Sequence, residues 1–164
     1  MIFGETPLTF VHVILSLIGI FSGLVVVFGM LGAKRLDGWT GLFLTTTVLT
    51  SATGFLLPAH GFMPSHAIGI ISLAVLALAI LARYSRHLTG AWRRTYVISA
   101  VIALYLNVFV LVVQLFRKVA ALKELAPTQT EPPFAVAQLV VMIAFIVLGW
   151  IAAKKFRIPA ATAA

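Results

Sequence analysis

Five long apolar stretches, separated by short polar links, dominate the hydropathy pattern of the chain. They cover residues of about 8–31, 39–57, 66–82, 95–116 and 134–153, and none of them contains Asp, Glu, Lys or Arg. About 20 apolar helical residues cross the roughly 30 Å hydrocarbon core of a bilayer. We therefore predict an all-α polytopic bundle of five transmembrane helices that forms a single transmembrane domain over residues 1–164.

Start and stop signals refine the ends of these helices. Thr6 followed by Pro7 is a typical helix start, with Thr as the N-cap and Pro at the first helical position. Ser65 is the predicted N-cap of the third span. The helical pattern of the fourth span continues through 117–125, and Pro127 then ends it.

Composition supports a membrane protein. The chain is 62% hydrophobic and only 10% charged, whereas soluble domains carry about 25% charged residues. Because there is no cysteine, disulfides and thiolate metal sites are excluded. The net charge of +8 does not indicate nucleic-acid binding, because the basic residues fall in short links, where they set topology and contact anionic lipids at the inner face.

The distribution of basic residues predicts an orientation with the N-terminus outside and the C-terminus inside. Five spans put the termini on opposite sides, and the membrane-inner side carries the excess of Lys and Arg. In this orientation nine of the 12 lie inside, namely Lys34, Arg35, Arg83, Arg86, Arg93, Arg94, Lys154, Lys155 and Arg157. Three lie outside, namely Arg117, Lys118 and Lys123.

One face of the first helix combines an imidazole with small residues. His12, Ser16, Gly19 and Gly23 follow the spacing i, i+4, i+7, i+11 and therefore share a face. Such a groove lets another helix approach closely. Alternatively, it leaves room for a flat cofactor.

Polar residues of several spans converge on the outer half of the predicted bundle. At similar depth we expect His12, His60, His66, Gln114 and Gln138. Thr50 and Thr53 of the second span approach the same level, and Asn107 lies near the bilayer midplane. Polar groups in hydrocarbon should face the bundle interior, where hydrogen bonds between helices are their simplest role.

The histidines allow four interpretations that the residues alone leave open. His12 and His66 can ligate haem b between two helices, because neutral imidazole is a common axial ligand. The same pair can hold a quinone, with Gln114 or Gln138 donating to its carbonyl oxygens. His60 and His66 can share a surface metal ion. Alternatively, all are interfacial histidines bonded to water, lipid head groups or backbone.

Missing residue types argue against several function classes. No ionisable Asp, Glu, Lys or Arg lies within a predicted span, which disfavours ion-coupled transport and excludes a retinal Schiff base. All four acidic residues lie in predicted loops or tails, so paired-carboxylate and Ser–His–Asp hydrolytic sites have no support.

Four strings carry a resemblance to small multi-pass inner-membrane proteins of Gram-negative bacteria. They are TGFLLP at 53–58, PSHAIGI at 64–70, LYLNVFVLVVQ at 104–114 and APTQTEPPF at 126–134. This resemblance implies a location in the bacterial inner membrane and brings no activity with it. More loosely, two histidines and a small-residue groove are similar to haem-b-binding four-helix membrane proteins.

The sequence thus leaves three functional hypotheses. The first is a redox-type membrane protein that binds haem b or a quinone near the periplasmic face. The second is a non-catalytic scaffold or accessory subunit whose Gly and Thr faces pack in a homo-oligomer or a larger membrane complex. The third is a facilitative transporter of a small neutral molecule, with Thr and Asn residues lining its path.

Overall fold

The computed structural model describes residues 5–58 and 61–157, and most of these residues are helical. The helices are α1 (Pro7–Leu31), α2 (Asp37–Gly54), α3 (Pro64–Ile80), α4 (Ala91–Lys118), α5 (Ala120–Leu125) and α6 (Pro132–Lys155). A π-helical turn, Leu81–Ser85, extends α3. The described part of the chain is therefore all-helical, as predicted.

Four of the described helices are long and apolar enough to cross a membrane. They are α1, α3 with its π-helical turn, α4 and α6. The second predicted span is also helical, but α2 has only 18 residues and six of them are threonine. Four apolar helices support an integral membrane protein, while the fifth span and the orientation stay predictions.

The threonines of α2 satisfy their hydroxyl groups mostly within their own helix. The Thr46 hydroxyl donates to the Leu42 carbonyl at 2.7 Å, and the Thr50 hydroxyl donates to the Thr46 carbonyl at 2.8 Å. A Thr hydroxyl reaches the carbonyl one turn earlier without leaving its rotamer. The predicted interhelical hydrogen bond is therefore replaced by an intrahelical one at Thr50, whereas Thr53 also contacts His12 of α1.

The predicted helix ends are right at α1 and shifted at α3. Thr6 caps α1, with its hydroxyl oxygen accepting from the Thr9 N–H at 3.2 Å, and Pro7 follows at the first helical position. Helix α3 has Met63 as its N-cap rather than the predicted Ser65. Proline explains the shift, because Pro64 has a suitable fixed φ and no N–H to leave unpaired at the first helical position.

Helices α1 to α4 form the centre of the bundle, and α6 packs on its outside against α4 and α1. We call the end at which α1, α3 and α6 begin the histidine end, and the opposite end the arginine end. Phe43, Leu76 and Leu104, from three different helices, are fully buried between these ends. This apolar centre separates two polar regions, one at each end of the bundle.

The glycine face of α1 is covered by two helices of the same chain. Gly19 and Gly23 are both buried. A Cβ atom at Gly19 would lie 3.0 Å from the Thr47 hydroxyl oxygen, and one at Gly23 would lie 2.7 Å from Leu104 Cδ1. The glycines therefore serve close helix packing within the bundle.

The π-helical turn buries an arginine that the sequence pattern places in a polar link. Arg83 is 1% exposed, and its Nη2 forms an ion pair with the Asp37 carboxylate. Its guanidinium also lies over the Tyr96 ring, 5.1 Å from the centroid. Lipid contact is therefore the wrong role for Arg83. Its role is to join α3 to the start of α2 and to α4 at the arginine end.

Removal of the carboxylate that pairs with this arginine should destabilise the bundle. We expect Asp37→Asn to lower the free energy of unfolding by about 2 kcal/mol, less than for a fully buried pair because the carboxylate is exposed. Circular dichroism during unfolding by sodium dodecyl sulfate in mixed micelles measures the change. Glu124→Gln, which removes an exposed carboxylate with no described ion pair, is the control.

A second variant distinguishes an unpaired charge from general disruption. Arg83→Met combined with Asp37→Asn should recover most of the lost stability, because no charge is then left without its partner. Equal stabilities for Asp37→Asn and Glu124→Gln would contradict this role of the ion pair.

Candidate ligand site at the histidine end

A cavity of about 510 Å³ lies among α1, α2, α3 and α4 at the histidine end. Ligand sites in proteins typically measure about 300 to 1,000 Å³ and combine an apolar wall with a few polar groups. Its polar lining includes His12, Thr47, Thr50, His66, Asn107 and Gln114, and Phe55, Ile68 and Val110 contribute apolar surface. We call this space the histidine-end cavity.

The cavity gathers five of the residues that the sequence singles out. His12, Thr50, His66, Asn107 and Gln114 all line it. Three other candidates, Gly19, Gly23 and Gln138, lie outside its lining. Thr53 lies behind His12 and contacts it directly.

The predicted surface metal site stays untested, because His60 lies outside the described residues. Within residues 5–58 and 61–157, no group of three or more His, Cys, Asp or Glu side chains is arranged to hold a metal ion.

Hydrogen bonding determines the tautomer of His12. Its Nδ1 lies 2.9 Å from the Thr53 hydroxyl oxygen. Because that hydroxyl donates its own proton to the Leu49 carbonyl at 2.7 Å, it accepts from His12 Nδ1–H. In the neutral ring Nε2 then carries a lone pair. The Nε2 atom of His12 can therefore accept a hydrogen bond.

The ring of His66 has the opposite arrangement. Its Nδ1 accepts a hydrogen bond from the Met63 backbone N–H at 2.9 Å. In the neutral ring the proton is therefore on Nε2, which is a donor. The ring also stacks on Phe55, with centroids 5.6 Å apart and planes only 11° from parallel. The start of α3 and this stacking together fix the orientation of the His66 imidazole.

Two polar side chains deeper in the bundle form the floor of the cavity. The Ser16 hydroxyl donates to Asn107 Oδ1 at 2.7 Å, which is the interhelical hydrogen bond expected for Asn107. Close by, the Thr47 hydroxyl oxygen is buried and has no hydrogen-bond partner among the described residues. Buried hydroxyl groups normally have a partner, but this oxygen faces α1, where a Cβ atom at Gly19 would lie 3.0 Å from it, and it is closed off from the cavity.

The polar lining also includes Gln114 and Arg117, from the last turns of α4, and Gln129, from the loop before α6; we call this part of the cavity its mouth. Gln129 Nε2 donates to the Val113 carbonyl at 2.9 Å, which attaches the loop before α6 to α4. The amide of Gln114 has no hydrogen bond to a residue that the structure describes. It is therefore available to a ligand.

Glu131 holds the loop that carries Gln129. Its carboxylate accepts from the Thr128 hydroxyl at 2.7 Å and from the Thr130 N–H at 3.1 Å. These hydrogen bonds, led by the one from Thr128, lower the pKa of Glu131 below its ordinary value. No spacing in the sequence connects Gln129 with the histidines, so only the folded chain reveals its place at the mouth.

Gln138, the alternative glutamine candidate, has a different position. Its Nε2 donates to the Phe109 carbonyl at 3.2 Å, which joins α6 to α4. Its Oε1 is buried without a partner among the described residues. The rotation of α6 turns this side chain towards α4 and away from the cavity, so the role predicted for Gln138 beside the histidines has no support in its position.

Comparison with known proteins gives no relative for this chain. No family model, curated protein or solved structure matches it. The resemblance to inner-membrane proteins of Gram-negative bacteria accordingly stays a prediction.

Proposed function

We propose that this chain is an integral membrane protein that binds the head group of a quinone in the histidine-end cavity. One observation carries the proposal: the two histidines offer a ligand opposite hydrogen-bonding groups. His12 presents an Nε2 lone pair, since its Nδ1–H is bound to Thr53, and His66 presents Nε2–H, since its Nδ1 is bound to Met63. Both rings line the same cavity.

These groups suit both redox forms of a quinone. A quinone carbonyl is an acceptor and matches His66 Nε2–H or the free amide of Gln114. A quinol hydroxyl is also a donor and matches the lone pair of His12. The apolar wall suits the ring and the first part of the hydrocarbon tail.

The same hydrogen bonds favour a quinone over haem b. Ligation by two histidines requires each imidazole to direct a lone pair at the iron. His12 meets this requirement through Nε2. His66 does not, because its Nδ1 lone pair already accepts from Met63 N–H and its Nε2 carries the proton.

The scaffold and transporter hypotheses have less support. The glycine face that a partner helix would need is already covered by α2 and α4. A polar path across the bundle would have to pass Phe43 and Leu104, which are fully buried and apolar.

In the predicted orientation, the cavity lies near the periplasmic face of a bacterial inner membrane.

Substitution of one glutamine inside the cavity and of another outside it tests the proposed quinone site. Decylubiquinone, titrated into the purified full chain in neutral detergent, should bind with a dissociation constant that Gln114→Leu raises about fivefold, because one ligand hydrogen bond is lost. Gln138→Leu is the matched control and should leave the constant unchanged. Equal effects of the two variants, or no binding to the unaltered protein, would refute the proposed site.

A further inference from the structure

Four cationic side chains surround a second pocket, at the arginine end and independent of the proposed quinone site. The pocket has a volume of about 690 Å³ and lies where α4 begins and α6 ends. Its cationic lining consists of Arg93, Arg94, Lys154 and Arg157. No acidic residue contributes to the lining.

The positive charge of this pocket has no counterpart within the described residues. The chain has only four acidic residues, Glu5, Asp37, Glu124 and Glu131. Of these, only Asp37 lies at the arginine end, and it already pairs with Arg35 and Arg83. Four like charges that share one pocket repel one another unless an anion enters it.

The backbone around the pocket favours an anion as well. Helix α4, with 28 residues, begins beside the pocket, and Gly90 precedes its first residue with a φ of 53°. The amino-terminal end of a helix carries partial positive charge; of the first N–H groups of α4, that of Trp92 already donates to the Thr89 carbonyl at 3.0 Å. A Cβ atom at Gly90 would meet nothing within 4 Å, so the approach to this helix end is open.

Hydrogen bonds hold the cationic wall in place. Arg93 Nη1 donates to the carbonyl of Ala153 at 3.2 Å and also to that of Phe156, which joins α4 to the end of α6. Arg157 Nε donates to the Lys154 carbonyl at 3.3 Å. The remaining guanidinium nitrogens of Arg93 and Arg157 have no hydrogen-bond partner among residues 5–58 and 61–157.

An exposed tryptophan places this pocket at the level of lipid head groups. Trp150 is 61% exposed on α6, and the Lys154 ammonium lies 3.7 Å from its ring centroid. Tryptophan is enriched where a transmembrane helix meets the head groups. We propose that this pocket binds the phosphate of an anionic phospholipid, held by Arg93, Arg94 and Arg157.

A lipid titration with charge-matched variants tests this site. Short-chain phosphatidylglycerol is titrated into the delipidated full chain in neutral detergent, with phosphatidylcholine of the same chain length as the reference. Arg94→Gln combined with Arg157→Gln should raise the dissociation constant for phosphatidylglycerol about 25-fold, or about fivefold for each cation removed. Lys34→Gln combined with Lys155→Gln removes the same charge outside the pocket lining and should change it less than about threefold.

Each outcome decides the proposal. A large loss confined to the pocket variant supports a specific lipid site. Equal losses in both double variants would show diffuse surface charge and overturn it, as would equal affinities for the two lipids. Inorganic phosphate is added as a competitor in a third experiment. If it displaces phosphatidylglycerol at a concentration equal to that of the lipid, the pocket binds free phosphate and the lipid assignment is wrong. Arg93 stays unaltered, because it holds α6.

Discussion

Replacing Gly23 with leucine should destabilise the bundle by about 3 kcal/mol or more, because the new side chain has no space. Its Cβ atom alone would lie 2.7 Å from Leu104 Cδ1 and 2.9 Å from the Phe43 ring. Both neighbours are fully buried and come from different helices, so neither can move without disturbing α2 or α4. Unfolding by sodium dodecyl sulfate, followed by circular dichroism, measures the loss.

Gly41 provides the matched control for this prediction. It lies within α2, and a Cβ atom there would meet nothing within 4 Å. Gly41→Leu should therefore be neutral or slightly stabilising, since leucine has the better helix propensity by roughly 0.8 kcal/mol. Similar stabilities of the Gly23 and Gly41 variants would contradict the close packing of α1 against α2 and α4.

Loss of both cavity histidines should raise the dissociation constant for a quinone about 100-fold. Each histidine offers one hydrogen bond to a ligand oxygen in a partly enclosed cavity, and each loss should raise the constant about tenfold. We expect His12→Leu to weaken binding of the quinol form more, because His12 is the acceptor. His66→Phe should weaken binding of the quinone form more, because it removes the donor while keeping the ring beside Phe55. Titrations with reduced and oxidised decylubiquinone measure both constants.

The control for this pair is at the other end of the molecule. His87 is exposed in the link before α4 and has a positive φ of 49°, which asparagine tolerates well. His87→Asn should leave both constants unchanged. If the two cavity variants weaken the quinone and quinol forms equally, the assigned tautomers are wrong, even if the site is right.

Much of the fold follows from the sequence because charge and apolar length leave few alternatives. Long continuous apolar stretches without charge indicate helices in a membrane, because a helix pairs all its backbone polar groups internally and barrel strands would alternate apolar and polar residues. Thr6 and Pro7 define the start of α1 locally, and the structure has that start. Depth along the helices also anticipates that His12, His66, Gln114, Thr50 and Asn107 lie near one another.

The rotation of each helix about its axis, and the pairing of residues that are distant in the sequence, cannot be predicted from the sequence alone. Gln114 and Gln138 have the same residue type at similar depth, yet only Gln114 lines the cavity. Arg83 looks like one more basic link residue until the fold brings Asp37 to it, 46 positions away. The tautomer of His12 likewise depends on Thr53, on another helix. Such features follow from tertiary packing and have no local signal.

Photolabelling with an azido-quinone tests the central claim most directly, because it reports where a quinone binds. The label is activated in the purified full chain, and mass spectrometry identifies the modified residues. We predict modification of the cavity lining of α1, α3 and α4 near His12, His66 and Gln114, which excess decylubiquinone should prevent. Labels spread over the exposed face of α6, unaffected by the competitor, would contradict a quinone site at the histidine end.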